Sequence, residues 1–180
     1  MSCVIRPEQP ADHEAIRRVV AAAFKSASEA DLVEAIRAAP EYIAELALVA
    51  EVAGEVVGHV MVSYTNLDDG TTRHQIFQLS PLAVAPEHQG SGVGSALVRR
   101  VLERAKDLGA EFVILEGDPR YYGRFGFEPA APYGIRINLP DWAPPEAAQL
   151  CRLSDAPPSV SGRVIYPASF DTVTEHRSTQ

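Results

Sequence analysis

Between Leu82 and Gly94 the chain reads Leu-Ala-Val-Ala-Pro-Glu-His-Gln-Gly-Ser-Gly-Val-Gly, an apolar run broken at Pro86 and then three glycines at alternate positions. A helix-forming segment follows at once. Glycine tolerates the tight turns that let backbone N–H groups converge, and a helix N-terminus adds unpaired donors at the positive end of the peptide dipole. Gly90, Gly92 and Gly94 therefore mark a socket for a phosphate or pyrophosphate. Downstream, Glu116-Gly117-Asp118-Pro119 closes the next apolar run, so Glu116 is the carboxylate best placed by position to act beside such a ligand.

These residues need a frame, and the apolar spacing supplies one. Val93, Leu97, Val98, Val101, Leu102, Ala105 and Leu108 recur at helical intervals, with Gly109 as a C-terminal cap. Phe112 to Leu115 reads as a buried strand. Strand, glycine loop, helix and strand make a βαβ unit, which crosses over right-handed and leaves its strands parallel. Upstream, Cys3 to Arg6 is a short strand. Ala15, Ile16, Val19, Val20, Ala23 and Phe24 share a helix face, and a second helix runs from Glu29 to Ala38, before Pro40. Leu46 to Val52 and Val56 to Tyr64 are strands joined by a hairpin at Ala53-Gly54-Glu55, and Asp68-Asp69-Gly70 is a loop. Gln75 to Val84 is the third strand of this meander. Pro81 inside it cannot donate to a ladder and predicts a bulge or a free edge.

A short helical turn is expected around Tyr121 to Phe125. Beyond Phe127 the chain is proline-rich and reads as irregular until a last strand at Arg163 to Tyr166, and the polar end from Thr172 to Gln180 reads as frayed. With 180 residues, 46% of them hydrophobic, and no repeat or long linker, the chain reads as one domain. Its core spans about residues 3–130 and an extension about 131–170.

The formal net charge of −8 argues against non-specific binding to nucleic acid or to an anionic membrane surface. Cys3 and Cys151 are the only cysteines and form no Cys-x-x-Cys pair, so neither a disulfide framework nor a metal site is indicated. No stretch approaches the roughly 20 apolar residues of a membrane span, and the N-terminus lacks a secretory pattern. The expected location is a reducing cytoplasm, and the expected form a monomer or homodimer.

Three phosphate-binding readings compete. A P-loop needs a Gly-Lys pair, which the chain lacks. A Rossmann dinucleotide site would use Glu116 for the ribose, but Pro86-Glu87-His88-Gln89 separates strand from loop, Ser95 stands where the third glycine belongs, and the upstream half reads as an antiparallel meander. The third reading fits both ends of the unit. Gln89-Gly90-Ser91-Gly92-Val93-Gly94 resembles the Gln/Arg-x-x-Gly-x-Gly/Ala acetyl-CoA loop of the GNAT superfamily of N-acetyltransferases. Tyr122-Gly123-Arg124-Phe125-Gly126-Phe127 is similar to that family's Tyr-x-x-x-Gly-Phe segment. The resemblance is sharp over about residues 80–130 and looser beyond, where the tail is similar to small stand-alone bacterial members.

The resemblance implies a mixed α/β fold, a mostly antiparallel twisted sheet with a central parallel βαβ unit flanked by helices. It implies acetyl transfer from acetyl-CoA, without a metal, to a small-molecule or protein amine by direct attack. Gln89, Gly90, Ser91, Gly92, Val93, Gly94 and Ser95 would then hold the pyrophosphate, and backbone groups of Leu82, Ala83 and Val84 the pantetheine arm. Tyr122 matches the family's general acid for the departing thiolate and also faces the cofactor. The base stays open between Glu116, at a strand's C-terminal end, and a water chain, because Asp118 suits a turn cap and His59 and His74 read as ordinary polar residues. Acceptor contacts are expected from residues 24–40 and 130–160. Two other readings remain, a non-catalytic acyl-CoA sensor on the same fold and the Rossmann module.

Overall fold

The computed structural model describes residues 3–171, so the segment expected to fray from Thr172 lies outside the described residues. Its elements in chain order are β1 (Cys3–Pro7), α1 (His13–Phe24), α2 (Ser28–Arg37), β2 (Ala47–Val52), β3 (Glu55–Asp68), β4 (Arg73–Val84), α3 (Val93–Asp107), β5 (Phe112–Glu116), α4 (Pro119–Tyr122), β6 (Phe127–Pro129), β7 (Ile135–Arg136), β8 (Ala148–Arg152) and β9 (Gly162–Ile165). The nine described strands belong to one sheet, ordered β1-β2-β3-β4-β5-β8-β6 along its main path, with β9 pairing β3 and β7. Pairing is antiparallel except at β4–β5 and β7–β9.

Alternation along the strands assigns the two faces. Val60 and Val62 of β3 and Val113 and Leu115 of β5 pack under α3 with Leu97, Val98 and Val101. On the opposite face, Val49 of β2 and Met61 of β3 meet Ile16 and Val20 of α1 and Val33 and Ile36 of α2. Ile114 and Leu150 continue that face under the C-terminal segment, with Ile135 and Val164. The β2–β3 hairpin closes through Ala53 and Gly54, both at positive φ (52° and 84°), as a two-residue primed turn requires.

The proline-rich stretch is more ordered than its composition predicts. The sequence reading leaves residues from Phe127 to Arg163 irregular, yet β6, β7 and β8 lie there. β8 matters most, because it pairs all five residues of β5, from Phe112↔Arg152 to Glu116↔Ala148. Its run Ala-Gln-Leu-Cys-Arg is short and flanked by prolines, which masks it in the sequence.

Candidate functional site

The site grows from one irregularity in β4. Val60 pairs with Leu82 and Val62 with Leu79, so β4 carries one residue more than β3 between those pairs. The extra length falls at Ser80-Pro81, whose peptide bond is cis. Pro81 has no N–H to offer a ladder, and the chain bulges where the sequence predicts. On its other edge, β4 pairs with β5 only at Phe77↔Val113 and Gln78↔Ile114. β5 stays with β8 along its whole length, so from Leu79 to Val84 no strand among the described residues lies beside that edge of β4.

At the far end of that open edge stands the glycine loop. Gly90 and Gly92 adopt φ of 74° and 91°, and nothing lies within 4 Å of where a Cβ would sit on either. Backbone handedness, rather than crowding inside the protein, is what demands glycine there. Gly94 differs: a Cβ on it would lie 2.6 Å from the Tyr121 hydroxyl. Gly92 is the N-cap of α3, and its carbonyl accepts the first helical bond from Ala96 N–H at 3.0 Å. The amides of Val93, Gly94 and Ser95 therefore have no acceptor within the helix.

Other loop residues work inside the protein. The Gln89 amide donates to the Pro86 carbonyl at 3.3 Å, and its side-chain Nε2 donates to the Val84 carbonyl at 3.0 Å. Ser91 Oγ donates to the His88 carbonyl at 2.5 Å. The Val93 side chain is buried in the core, which leaves its amide as the part facing the loop. A hollow of about 400 Å³ lies against Val84, Gly90, Gly92, Gly94 and Ser95. Arg124 borders it, with its guanidinium carbon 4.3 Å from the Tyr121 ring centroid and its Nε donating to the Tyr121 carbonyl at 2.8 Å.

A second cavity, about 350 Å³, occupies the gap between β4 and β5. Leu79, Leu82 and Tyr122 enter it from the α3 face. Gln78 and Glu116, two residues along from Ile76 and Ile114 and so on their face, enter from the other side with Leu32 and Phe170. Ala83 turns its side chain into the α1–α2 cluster, sits opposite His59 of β3 and lines neither cavity. Tyr122 packs its ring on Tyr121 and Phe127, at centroid distances of 4.9 and 5.7 Å. Burial, and after it Tyr121, pushes its phenol far above the usual tyrosine value. Tyr166 donates its hydroxyl to Glu116 Oε1 at 2.7 Å.

Tyr122, Glu116 and Leu82 thus meet in one cavity, and the glycine loop with Val84 in the next. Asp118, Arg120, His59 and His74 stay outside this constellation. Asp118 caps α4 by accepting from the Arg120 amide at 2.9 Å and pairs with the Arg120 guanidinium. His74 pairs with Asp69 at the other end of the sheet. His59 is fully buried against Glu8, whose carboxylate also accepts from Arg37 and Tyr42. Burial alone would raise the Glu8 carboxyl, but hydrogen bonds from His59 and Arg37 outweigh it and hold it well below the usual range. The Cys151 thiol is buried behind Phe125, and that burial pushes it up to about 11. Among the described residues no group of three His, Cys, Asp or Glu side chains is arranged to hold a metal ion.

The acceptor-side walls are drawn partly from expected segments. Phe24, Glu29 and Leu32 fall within residues 24–40, but Tyr166 and Phe170 come from beyond 160. Residues of the 130–160 stretch, Leu139 and Trp142 among them, line a neighbouring hollow that shares only Glu116 and Gly117 with this one. Gln78 and Tyr166 are the polar lining residues of most interest among those that the sequence reading leaves out of the site. A glutamine inside Ile76-Phe77-Gln78-Leu79 is the available signal for the first, whereas Tyr166 meets Glu116 across fifty residues with no local spacing to announce it.

Comparison with known proteins gives concordant results. The family described as acetyltransferase (GNAT) domain matches residues 4–130. The uncharacterised N-acetyltransferase YhbS of Escherichia coli K12 is 34% identical over 170 residues, covering 93% of this chain and 98% of that protein. The uncharacterised N-acetyltransferase YjhQ of the same strain is 37% identical over 120 residues, 67% of this chain and 66% of the relative. The crystal structure of E. coli YhbS in complex with CoA superposes with a TM-score of 0.84 at 33% identity, covering 94% of this chain and 92% of the other. A GNAT family acetyltransferase from Brucella melitensis in complex with acetyl-CoA gives 0.76 at 32% identity, covering 94% and 99%.

Proposed function

The chain belongs to the GNAT acetyltransferase family, and from that premise we propose that it transfers the acetyl group of acetyl-CoA to a primary amine by direct attack, as a single domain. The observation that carries this reading is the open edge of β4. Among the described residues it runs without a neighbouring strand from the glycine loop to the cavity holding Tyr122 and Glu116. The E. coli and Brucella structures, solved with CoA and acetyl-CoA, support the choice of donor.

The residues divide the work. Amides from Gly90 to Ser95 bind the pyrophosphate, with Arg124 as a cation beside them. Backbone groups of Leu82, Ala83 and Val84 pair with the pantetheine arm as an added strand would, and one of their N–H groups polarises the thioester carbonyl. Bound acetyl-CoA supplies an activated acyl carbon. The amine nitrogen bonds to that carbon as the carbon–sulfur bond breaks. Glu116, directly or through water, takes the proton the amine loses, and Tyr122 provides one toward sulfur. The raised phenol keeps Tyr122 protonated at neutral pH, and the same desolvation increases the proton affinity of a thiolate leaving into the cavity. Neither cysteine competes as a nucleophile in this scheme, since the Cys151 thiol is buried and raised and Cys3 lies on β1 at the sheet's far edge.

Two measurements test the reading. Calorimetry is expected to detect CoA binding and no NAD binding. Thiol release from acetyl-CoA is expected to depend on an added amine. Tight CoA binding with no amine-dependent turnover would replace the enzyme with an acyl-CoA sensor.

A further inference from the structure

We infer, resting on the acetyltransferase reading, that Arg99 and Arg124 form a phosphomonoester site that selects the ribose 3′-phosphate of CoA. The donor is then the free nucleotide coenzyme. Neither dephospho-CoA nor a phosphopantetheine arm on a carrier protein would replace it.

The site is built around Phe125. The guanidinium carbon of Arg99, reaching from α3, lies 5.3 Å from that ring's centroid, and that of Arg124 lies 5.4 Å from it. Phe125 packs in turn on Tyr121 at a centroid distance of 5.5 Å, and the Tyr121 hydroxyl fills the space beside Gly94. One aromatic pair thus ties both cations to the first turn of α3. The Arg124 Nε bond to the Tyr121 carbonyl holds that side chain in place and leaves its terminal amino groups without an acceptor among the described residues.

Charge pairing sets these two arginines apart from their neighbours. Arg100 pairs with Glu103 at 3.0 Å and Arg120 with Asp118 at 3.1 Å, whereas neither Arg99 nor Arg124 has a carboxylate partner among the described residues. The chain carries 24 acidic side chains against 16 lysines and arginines, so acid partners are plentiful. Two exposed arginines resting on aromatic rings instead, beside a phosphate socket, are held in place without being neutralised. They point to an anion that arrives with the ligand.

Position selects which anion. Arg99 stands one turn beyond Ser95 on the same face of α3, about 6 Å farther from the glycine loop. In the proposed binding mode the loop amides hold the pyrophosphate, and the ribose carries its 3′-phosphate a short bridge beyond. A phosphomonoester bears about two negative charges at neutral pH, which two guanidinium forks match in charge and geometry. No carboxylate is among the described residues lining the hollow at the loop, so none there repels the group.

Calorimetry with CoA and dephospho-CoA tests the site in the parent, Arg99→Gln and Arg124→Gln. The parent is expected to bind CoA about tenfold or more tightly than dephospho-CoA. Arg99→Gln is expected to weaken CoA by about tenfold and to leave dephospho-CoA within about twofold, because Arg99 is not among the residues lining the pyrophosphate hollow. Arg124→Gln, which borders that hollow, is expected to weaken both and CoA the more. Equal affinity of the parent for the two ligands would overturn the inference. So would either variant that weakened both by the same factor, or neither. Failure of the parent to bind either ligand would instead remove the acetyltransferase reading itself.

Discussion

Gly117 exists for Tyr122. A Cβ at residue 117 would stand 2.5 Å from Tyr122 Cε2 and 2.8 Å from its Cδ2, so the ring occupies the space that any other residue would fill. The backbone of Gly117 is pinned on both sides, its N–H to the Ala147 carbonyl at 3.0 Å and its carbonyl to Gln149 Nε2 at 2.9 Å. The glycine therefore cannot yield, and the phenol must.

Two substitutions should consequently look alike. Tyr122→Phe is expected to lower kcat by about a hundredfold, with KM for acetyl-CoA changed little, as loss of a proton donor predicts. Gly117→Ala, by displacing the ring, is expected to lower kcat in the same direction. Steady-state kinetics at saturating acetyl-CoA would check both; an unaffected kcat in Tyr122→Phe removes the phenol from the acid role.

Ser95 offers a test of the phosphate socket that separates binding from folding. It is the third residue of α3, where a carboxylate favours the helix dipole and repels a bound pyrophosphate. Ser95→Asp is expected to weaken CoA binding by at least about tenfold while leaving Tm unchanged or slightly raised. Calorimetry and thermal denaturation on one sample would read both. Equal CoA affinity would show that the loop is not the phosphate site.

Proton removal from the amine is tested at Glu116. Glu116→Gln is expected to lower kcat by about a hundredfold at neutral pH. Tyr166→Phe, which releases a hydrogen bond to that carboxylate, should cost less than about tenfold. A Glu116→Gln enzyme within twofold of the parent would assign the role to a water chain instead.

The Glu8 network makes a stability prediction. Its folded carboxyl titrates well below the unfolded one, so the unfolded chain takes up a proton first as pH falls. The stabilisation is complete above the unfolded value of roughly 4.3 and is lost as pH descends through the folded one. Glu8→Gln is expected to cost about 3 kcal/mol at neutral pH, since it breaks a buried ion pair with Arg37. Its stability should also fall less steeply than the parent's on acidification below about pH 5. Urea unfolding across that pH range would show whether the two curves converge.

What the sequence exposes and what it hides follow from the range of the interactions. The glycine loop, α3 and the Pro81 bulge are legible because each is a local pattern: positive-φ residues before an amphipathic run, and a proline inside a strand. β8 is not, because its five residues acquire their meaning only by pairing with β5 and β6. The Tyr166–Glu116 contact is hidden for the same reason. Gln78 lies between these cases: a polar residue in an apolar strand is visible, but its opening onto a cavity depends on how far β5 follows β4. His59 is hidden as well. The sequence reads it as an ordinary polar residue, and the fold makes it a fully buried partner of Glu8, a contact across fifty-one residues that no local pattern announces.

The gap between β4 and β5 is lined from both faces of the sheet, and under the proposed acetyl transfer this sets a kinetic rule. On that reading a donor laid along β4 from the glycine loop and an acceptor on the Leu32 and Phe170 side occupy different hollows. Neither must depart before the other arrives. Both can therefore be resident together, giving intersecting double-reciprocal plots, and free CoA should compete with acetyl-CoA without competing with the amine.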